Sequence, residues 1–460
     1  MSGLHRTAVL NVVGLTPALM GDDTPHLSAF LRDGSGTSLT VGAPAVTCTT
    51  QSTFLTGTSP SAHGIVGNGW YDRESAQVLF WKQANQLVAG DKIWDVARRR
   101  DPAFTVAKLF WWFNMYSSAD WSVTPRPVYP ADGRKIPDIY SAPSDLCARL
   151  TAALGPFPFF SFWGPAADIK SSQWIADATS LVAQWHAPTL LLAYLPHLDY
   201  NLQRLGATAP AIRADVRAID AVCGRLITDL RARGYRIVVL SEYGLTDVSG
   251  PVHINRVLRE AGHLAVRREL GLEMLDAGAS DAFAVADHQV AHVYVRRHDR
   301  IDAVRRLLEQ TPGIASVLGA EEMAASGLAH PRSGNLLALS HRDRWFTYYY
   351  WTDDRLAPDF ARTVDIHRKP GYDPAELFID PTLKWPKATI GWTVAKKKLG
   401  FRTLMSVIPL DASLVRGSHG LQAASRAEAP VLLSSERREW PDELPATSVR
   451  DVLLSHVFDT

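Results

Sequence analysis

Short apolar runs rich in branched side chains recur along this chain, at residues 7–15, 104–110, 189–195, 235–240 and 290–295. Runs of this length and composition are typical of buried β-strands. Between several of them, apolar residues recur at intervals of three and four, most clearly over residues 210–233, and Gly234 follows as a helix-ending residue. Strands that alternate with amphipathic helices predict an α/β fold, in which a mostly parallel central sheet is covered by helices on both faces.

Residues 262–340 have a different pattern of apolar and polar positions. They contain short apolar runs and helical patterns at 300–310 and 319–327. Because the strands with candidate chemistry lie both before and after this region, we interpret it as a smaller α+β cap inserted into the main unit. The prediction is therefore a core made of residues 1–261 and 341–460, and a cap made of residues 262–340.

The composition is that of an ordinary globular protein, with 460 residues, 46% hydrophobic side chains and a formal net charge of +1. This charge gives no general attraction to nucleic acid polymers or anionic membranes, and no run of Lys and Arg is long enough for a basic arm. Cys48, Cys147 and Cys223 lie far apart, which argues against a disulfide framework and fits a reducing compartment. The apolar segment near the N-terminus is too short to span a bilayer, so we expect a cytoplasmic protein without membrane association.

Polar side chains follow the predicted strands at the points where the strands end. Asp199 comes after the run 189–195, Glu242 comes after 235–240, and His419 comes after the apolar stretch 403–410. In a parallel sheet, ligands bind beyond the carboxyl ends of the strands, so these side chains could converge on a metal ion. Each residue taken alone could instead make a helix cap or a loop hydrogen bond.

The stretch from Pro44 to Asn68, PAVTCTTQSTFLTGTSPSAHGIVGN, is dense in hydroxyl side chains. A hydroxyl at the start of a helix can attack phosphorus or an acyl carbon, because the helix N-terminus stabilises the negative charge that develops there. Thr47 is the candidate nucleophile. Cys48 is the alternative, but no neighbour in the sequence lowers its pKa, so we interpret it as a packing residue.

These motifs resemble the nucleotide pyrophosphatase/phosphodiesterase family within the alkaline phosphatase superfamily. The resemblance rests on Thr47, Thr56-Gly57, His63-Gly64 and Asn68, followed in order by Asp199 with Gln203, Ser241-Glu242-Tyr243-Gly244 and Gly417-Ser418-His419-Gly420. It covers the chain from about residue 8 to residue 420, and it implies an alkaline-phosphatase-like fold and a small phosphorylated substrate.

The resemblance also implies roles for single residues. Thr47 would be the nucleophile and Asn68 would hold a phosphoryl oxygen. Asp199, Glu242 and His419 would bind one or two divalent ions, which could be Zn²⁺, Mn²⁺ or Mg²⁺.

This chain departs from the family pattern at several ligand positions. Val13 stands where the first strand of the family carries an aspartate, Gln203 and Tyr243 replace histidines, and Glu242 replaces an aspartate. The remaining carboxylate-rich set suits a harder ion such as Mg²⁺ or Mn²⁺ better than zinc.

Other residues could have taken over lost roles. We expect His288 and His367 as reserve metal ligands, and Arg368 and Lys369 as clamps for a substrate phosphate. The structural alternatives are that His292, four residues after His288, is a buried core histidine, and that Asp365 pairs with Arg368.

The sequence therefore predicts a metal-dependent hydrolase that cleaves a phosphodiester, pyrophosphate or related phosphoryl bond through a covalent phospho-threonine. One alternative is a protein on the same fold that binds a phosphorylated metabolite without hydrolysing it. Another is a biosynthetic phosphatase or phosphonate hydrolase with a changed metal site. The sequence leaves open whether the protein forms a homodimer.

Overall fold

A nine-stranded β-sheet forms the centre of the computed structural model, which describes residues 4–131, 135–401 and 403–459. From edge to edge its strands, numbered in chain order, are β21 (Glu443–Pro445), β2 (Ser35–Thr40), β20 (Val431–Ser434), β9 (Arg236–Leu240), β1 (Thr7–Val12), β8 (Leu190–Leu195), β5 (Val106–Leu109), β6 (Trp121–Pro125) and β7 (Ile139–Ala142). β1 pairs in parallel with β8 and β9, and β5 pairs in parallel with β8 and β6. β20 and β7 run antiparallel to their neighbours. The predicted mostly parallel sheet is confirmed.

Helices cover this sheet and bury its central strands. The described α-helices of the chain are α1 (Pro25–Asp33), α2 (Thr47–Thr56), α3 (Pro60–His63), α4 (Ile93–Arg100), α5 (Asp145–Leu154), α6 (Ile169–His186), α7 (His197–Leu205), α8 (Ile212–Ala232), α9 (Ile254–Glu260), α10 (Ile301–Glu309), α11 (Ala320–Ala325), α12 (Pro386–Lys398) and α13 (Val449–Phe458). Of these, α9, α10 and α11 contact strands of a second sheet instead. α1, α6 and α8 pack together, whereas α13 packs on β1, α2 and α4. Every residue of β1 and β8 is buried as a result. No helix in the described part of the chain is long and apolar enough to cross a bilayer.

A second, antiparallel sheet lies within the predicted cap region. Its strands in spatial order are β14 (Ala282–Asp287), β15 (Val290–Val295), β17 (Leu336–Ser340) and β16 (Ile314–Leu318). The hydrophobic cluster beneath it also includes residues after position 340, such as Tyr348 and Trp351. The boundaries at residues 262 and 340 stay a prediction.

Two-stranded pairs complete the described β-structure. They are β3 (Gly69–Asp72) with β4 (Gln77–Phe80), β10 (Thr246–Asp247) with β19 (Gly417–Ser418), β11 (Gly250–Val252) with β18 (Arg344–Phe346), and β12 (Val266–Glu269) with β13 (Leu272–Leu275).

The apolar stretch 403–410 does not form a strand, which corrects the expectation that His419 follows a strand of the main sheet. Its backbone bonds to loops instead: the Ile408 amide donates to the Arg362 carbonyl over 3.1 Å, and the Val407 carbonyl accepts from Asp380 over 2.8 Å. His419 directly follows the short strand β19.

Leu192 in the middle of β8 offers a test of this sheet, because its side chain is fully buried. We expect Leu192→Ala to lower the free energy of unfolding by about 3 kcal/mol, through lost burial and the cavity left behind. Urea denaturation followed by circular dichroism measures the change. Leu270→Ala, in the exposed turn between β12 and β13, is the control and should change stability by less than about 0.5 kcal/mol. Equal effects of the two substitutions would contradict the central position of β8.

Candidate active site

Thr47 is the first residue of α2, at the edge of the sheet where the parallel strands end. Val46 before it is extended, with φ −134° and ψ 155°, so the helix begins abruptly at Thr47. All ten residues of α2 are buried. The Thr47 hydroxyl lies 3.1 Å from the phenol oxygen of Tyr243, which follows β9. The helix therefore presents a buried hydroxyl at its positive end, where a negatively charged group is stabilised.

Glu242 lies beside this hydroxyl and is surrounded by neutral amides. Its Oε1 accepts hydrogen bonds from the side-chain amides of Asn11 and Gln51, whereas its Oε2 is buried without a hydrogen-bond partner in the described part of the chain. Burial raises the pKa of Glu242 to about 8, although the Gln51, Asn11 and Thr47 side chains oppose the rise. Its carboxyl group can thus exchange a proton near neutral pH.

Asp199 lies near the start of α7, and both of its carboxylate oxygens accept hydrogen bonds, Oδ1 from the Tyr243 hydroxyl over 3.5 Å. Its Oδ2 accepts from the Gln203 amide over 2.7 Å, and the Gln203 carbonyl accepts from the Tyr372 hydroxyl over 2.9 Å. Burial raises the pKa of Asp199 to about 7. Its Oδ1 lies 4.0 Å from Nε2 of His419.

His419 is held as a neutral imidazole. Its Nδ1 donates to the Ala45 carbonyl over 2.7 Å, and burial lowers its pKa to about 3. Nε2 then carries the lone pair, and it is buried without a hydrogen-bond partner among the described residues.

Four aromatic rings form a continuous stack across the site. Tyr243 lies 3.5 Å from His419, His419 lies 3.6 Å from His288, and His288 lies 3.7 Å from Tyr372, measured between ring centroids. His288 occupies the turn between β14 and β15 in a left-handed conformation, with φ 60°. The second sheet thereby contributes directly to the centre that contains Thr47.

Asn68 is bound on both sides. Its Oδ1 accepts from the backbone amide of Cys48 over 3.0 Å, and its own backbone and side-chain amides donate to Asp287 over 2.7 and 3.0 Å. Burial raises the pKa of Asp287 to about 7, and the Asn68 hydrogen bonds oppose that rise. Asn68 thus connects the first turn of α2 to the second sheet.

Of the four reserve residues, the structure brings His288 into this centre, whereas Lys369, Arg368 and His367 have other partners. The Lys369 ammonium is buried and bound by Asp373 and Glu376 over 2.6 and 2.8 Å, so both of its ion-pair partners are protein carboxylates. Arg368 is half-exposed and lies 4.0 Å from Asp359 rather than against Asp365. His367 contacts the Phe80 carbonyl over 3.4 Å. Their roles in binding metal or phosphate stay predictions.

The interpretations of His292 and Cys48 as buried packing residues agree with the structure, whereas the expected pair of Asp365 with Arg368 does not form. Both ring nitrogens of the buried His292 are hydrogen bonded, to the Val66 carbonyl over 2.9 Å and from the Gly334 amide over 3.2 Å. His288 lies outside β15 and faces the ring stack, so the two histidines do not act together. Cys48 is buried, and burial raises the pKa of its thiol, which is unfavourable for a nucleophile.

The side chains beside Thr47 do not fit a metal centre. Val13 belongs to the main hydrophobic core, the Tyr243 ring lies flat against His419, and Glu242 is occupied by two amides. Within residues 4–131, 135–401 and 403–459, no three His, Cys, Asp or Glu side chains are grouped so that they could hold an ion. Asp199 and His419 provide two donors, which is fewer than a protein metal site usually offers.

Several members of this centre were missed by the sequence analysis. They are Asn11, Gln51, Asp287 and Tyr372. Asn11 had a usable signal, because it is a polar residue inside the otherwise apolar strand β1. The others had none, since their partners lie on distant parts of the chain.

The fold is that of the alkaline phosphatase superfamily, and a family model gives the reaction class, a phosphoryl hydrolase. A model of type I phosphodiesterase/nucleotide pyrophosphatase matches residues 7–373. The chain belongs to this family, whose members generally depend on divalent ions.

One curated relative has a similar sequence over part of its length. An uncharacterized pyrophosphatase/phosphodiesterase of Schizosaccharomyces pombe is 24% identical over 216 residues, which are 45% of this chain and 37% of the relative. The match therefore spans little more than a third of that protein.

Solved structures share the fold over nearly the whole chain. Phosphonoacetate hydrolase from Sinorhizobium meliloti, in complex with phosphonoformate, is 13% identical with a TM-score of 0.64, covering 99% of this chain and 96% of its own. Murine ectonucleotide pyrophosphatase/phosphodiesterase 5, solved as an inactive threonine-to-alanine variant in complex with AMP, is 13% identical with a TM-score of 0.59, covering 99% and 95%. Its human counterpart is 14% identical with a TM-score of 0.60, covering 99% and 95%. At these identities the likeness shows the fold.

Gln203→His tests whether the site has too few metal donors. The substitution adds an imidazole beside Asp199 and His419 and so completes a set of three ligands. We expect the purified variant to bind one equivalent of Zn²⁺ by calorimetry, with the wild type binding much more weakly. Gln422→His, on the exposed surface, is the matched control and should behave as the wild type. Tight stoichiometric binding by the wild type would show that the site has enough metal donors.

Glu242→Gln tests the buried carboxyl group. Burial raises the pKa of Glu242 from 4.5 to about 8, so the folded state binds its proton more tightly than the unfolded state does. The stability that this proton contributes is therefore lost as the pH rises from about 4.5 to about 8. Glutamine cannot ionise and keeps the oxygen that Asn11 and Gln51 bind. We expect the variant to gain in Tm over the wild type as the pH rises from about 4.5 to about 8. Glu439→Gln, at an exposed position, should show no such trend, and a pH-independent difference for Glu242→Gln would contradict the assignment.

Proposed function

We propose that this protein hydrolyses a phosphodiester, pyrophosphate or related phosphoryl bond of a small phosphorylated metabolite, with Thr47 as the nucleophile. The observation that carries the proposal is the buried Thr47 hydroxyl at the start of α2, 3.1 Å from the Tyr243 phenol. Family membership supports the reaction class. The inactive threonine-to-alanine variant of the murine relative supports a catalytic threonine in this fold.

The proposed reaction has two steps. In the first, the Thr47 oxygen attacks phosphorus, its O–H bond breaks as the O–P bond forms, and the leaving oxygen departs. The first turn of α2 has amides without intrahelical partners. The Cys48 amide donates to Asn68, and the others stabilise the charge on the equatorial oxygens. In the second step, water attacks phosphorus of the phospho-threonine and breaks the bond between phosphorus and the Thr47 oxygen. This step releases the phosphoryl product, which is a phosphate monoester when the substrate is a phosphodiester, and regenerates the free hydroxyl.

Two side chains assist Thr47 in this proposal. The Tyr243 phenol holds the Thr47 hydroxyl by a hydrogen bond. The ionised carboxylate of Glu242 accepts the proton of the Thr47 hydroxyl. Its Oε2 has no hydrogen-bond partner among the described residues, and the carboxyl group lies close enough to Thr47 for the hydroxyl to affect the pKa of Glu242. No step uses a metal ion, since the donors around Thr47 do not fit one. Divalent-metal dependence stays a prediction from family membership.

Asn68 is the proposed contact to a phosphoryl oxygen. In the structure its side-chain amide donates to Asp287 over 3.0 Å. Binding of substrate would therefore require Asn68 to exchange this partner for the phosphoryl oxygen, and the lost hydrogen bond would be offset by the new one.

The second candidate is a protein that binds a phosphorylated metabolite without hydrolysing it. The observation that favours it is that the Asn68 amide and the Oε1 atom of Glu242 already bind protein groups. A hydroxyl at a helix N-terminus can bind an anion without reacting with it.

Thr47→Ala distinguishes these candidates, with bis(4-nitrophenyl) phosphate as the probe. For a hydrolase, we expect this variant to lower turnover by about a thousandfold or more, because the attacking oxygen is removed. Thr47→Ser should retain measurable turnover. Rapid quenching followed by peptide mass spectrometry should detect a phosphoryl group on Thr47 in the wild type.

Thr56→Ala is the matched control, since it removes a hydroxyl from the last turn of the same helix, where it bonds the Ser52 carbonyl over 2.8 Å. Its turnover should equal that of the wild type. Unchanged turnover in Thr47→Ala would contradict the assignment of Thr47 as the nucleophile. Calorimetric binding of pyrophosphate without turnover or phospho-threonine would support the binding candidate.

A further inference from the structure

Residues 384–404, here called the basic apolar segment, have an unusual surface. Six of the fifteen large apolar side chains exposed in the described part of the chain lie within these positions: Trp385, Trp392, Val394, Leu399, Phe401 and Leu404. Trp385 is 75% exposed and Leu399 is 72% exposed. Single exposed apolar residues are ordinary, whereas a concentration of this kind marks an interaction surface.

The same stretch is strongly basic. Between residues 381 and 410 the sequence contains five lysines and one arginine but no aspartate or glutamate. The whole chain has a formal net charge of +1, so the remainder is net negative. Exposed arginines elsewhere pair with nearby carboxylates, as Arg297 does with Asp299 over 2.7 Å and Arg305 with Glu309 over 2.9 Å. This segment has no acidic residue of its own for such pairing.

Helix α12 lies on the surface of the protein. None of its side chains that the structure describes is fully buried. Ile390 contacts a small apolar cluster that contains Ala375 and Ile408. Trp392 follows two positions later, which places it on the opposite side of the helix. The Lys396 ammonium lies 5.2 Å from the centre of the Trp392 ring, so basic and aromatic groups share this outer surface.

We propose that the basic apolar segment docks on the surface of an anionic lipid bilayer. α12 lies along the interface, with Trp385, Trp392 and Leu399 in the boundary between headgroups and acyl chains and the lysines on anionic headgroups. A helix of 13 residues is about 20 Å long and cannot cross the roughly 30 Å hydrocarbon core, which is why the segment lies on the membrane and does not span it.

The positive charge of the basic apolar segment favours an anionic bilayer over a second copy of the chain as its binding partner. A symmetric dimer would place the same basic surface against itself, and the like charges would repel. An anionic bilayer neutralises the lysines and also accepts the exposed tryptophans, which favour membrane interfaces.

Vesicle flotation with the full chain tests the proposal. We expect the protein to float with vesicles that mix phosphatidylcholine and phosphatidylglycerol, to bind phosphatidylcholine alone much more weakly, and to dissociate at high salt. Each of the substitutions Lys384→Gln, Lys387→Gln and Lys396→Gln should lower the partition coefficient about fivefold. Trp392→Ser should lower it by about tenfold or more.

Matched controls remove the same kinds of group elsewhere. Arg297→Gln with Arg300→Gln removes exposed positive charge, and Leu270→Ser removes a fully exposed apolar side chain. Both should bind as the wild type, and circular dichroism should show that every variant is folded. No flotation with anionic vesicles, or equal binding by the lysine variants and the wild type, would overturn the proposal. A dimer that Trp392→Ser dissociates, without vesicle binding, would assign the surface to a second copy.

Discussion

The parallel pairing of β1 with β8 and β9 is the constraint on which the candidate active site depends. Parallel strands end at the same edge of a sheet, so the residues after β8 and β9 emerge beside the start of α2. The strands are buried, and their backbone groups must find partners within the sheet, which prevents the register from sliding. Thr47 and Tyr243 are 196 positions apart in the chain and are nevertheless in hydrogen-bond contact.

The candidate active site at this edge is buried, and its carboxyl groups accept hydrogen bonds mainly from neutral side chains. Glu242 and Asp199 receive side-chain amide hydrogen bonds, and the pKa of each remains well above its usual value. An amide compensates a buried negative charge less than a cation does. Lys369 shows the contrast: burial alone would lower the pKa of its ammonium, but Asp373 and Glu376 outweigh burial and hold that pKa above its usual value. Near-neutral carboxyl pKa values thus follow from the missing positive charge beside Thr47.

The second sheet and the basic apolar segment add features that the main sheet does not contain. Asp287 and His288 come from one turn of the second sheet and complete the surroundings of Thr47. The basic apolar segment is a surface property and is independent of the chemistry at Thr47. Its charge was concealed in the sequence analysis because a net charge of +1 averages over the whole chain.

Local apolar patterns in the sequence predicted the fold class, the helix α8 and five of the strands, namely β1, β5, β8, β9 and β15. Buried strands and amphipathic helices carry such patterns, whereas the shorter strands do not. The sequence also predicted Thr47, Asp199, Glu242 and His419 as site residues. The structure brings these four side chains close together, and their roles stay predictions. The groups that surround them depend on the tertiary structure. The amides on Glu242, the Tyr243 ring against His419 and the enclosure of Lys369 by two carboxylates depend on how distant segments pack. Local patterns carry no information on such contacts, because each side chain's partner is chosen by the fold and not by its neighbours in the chain.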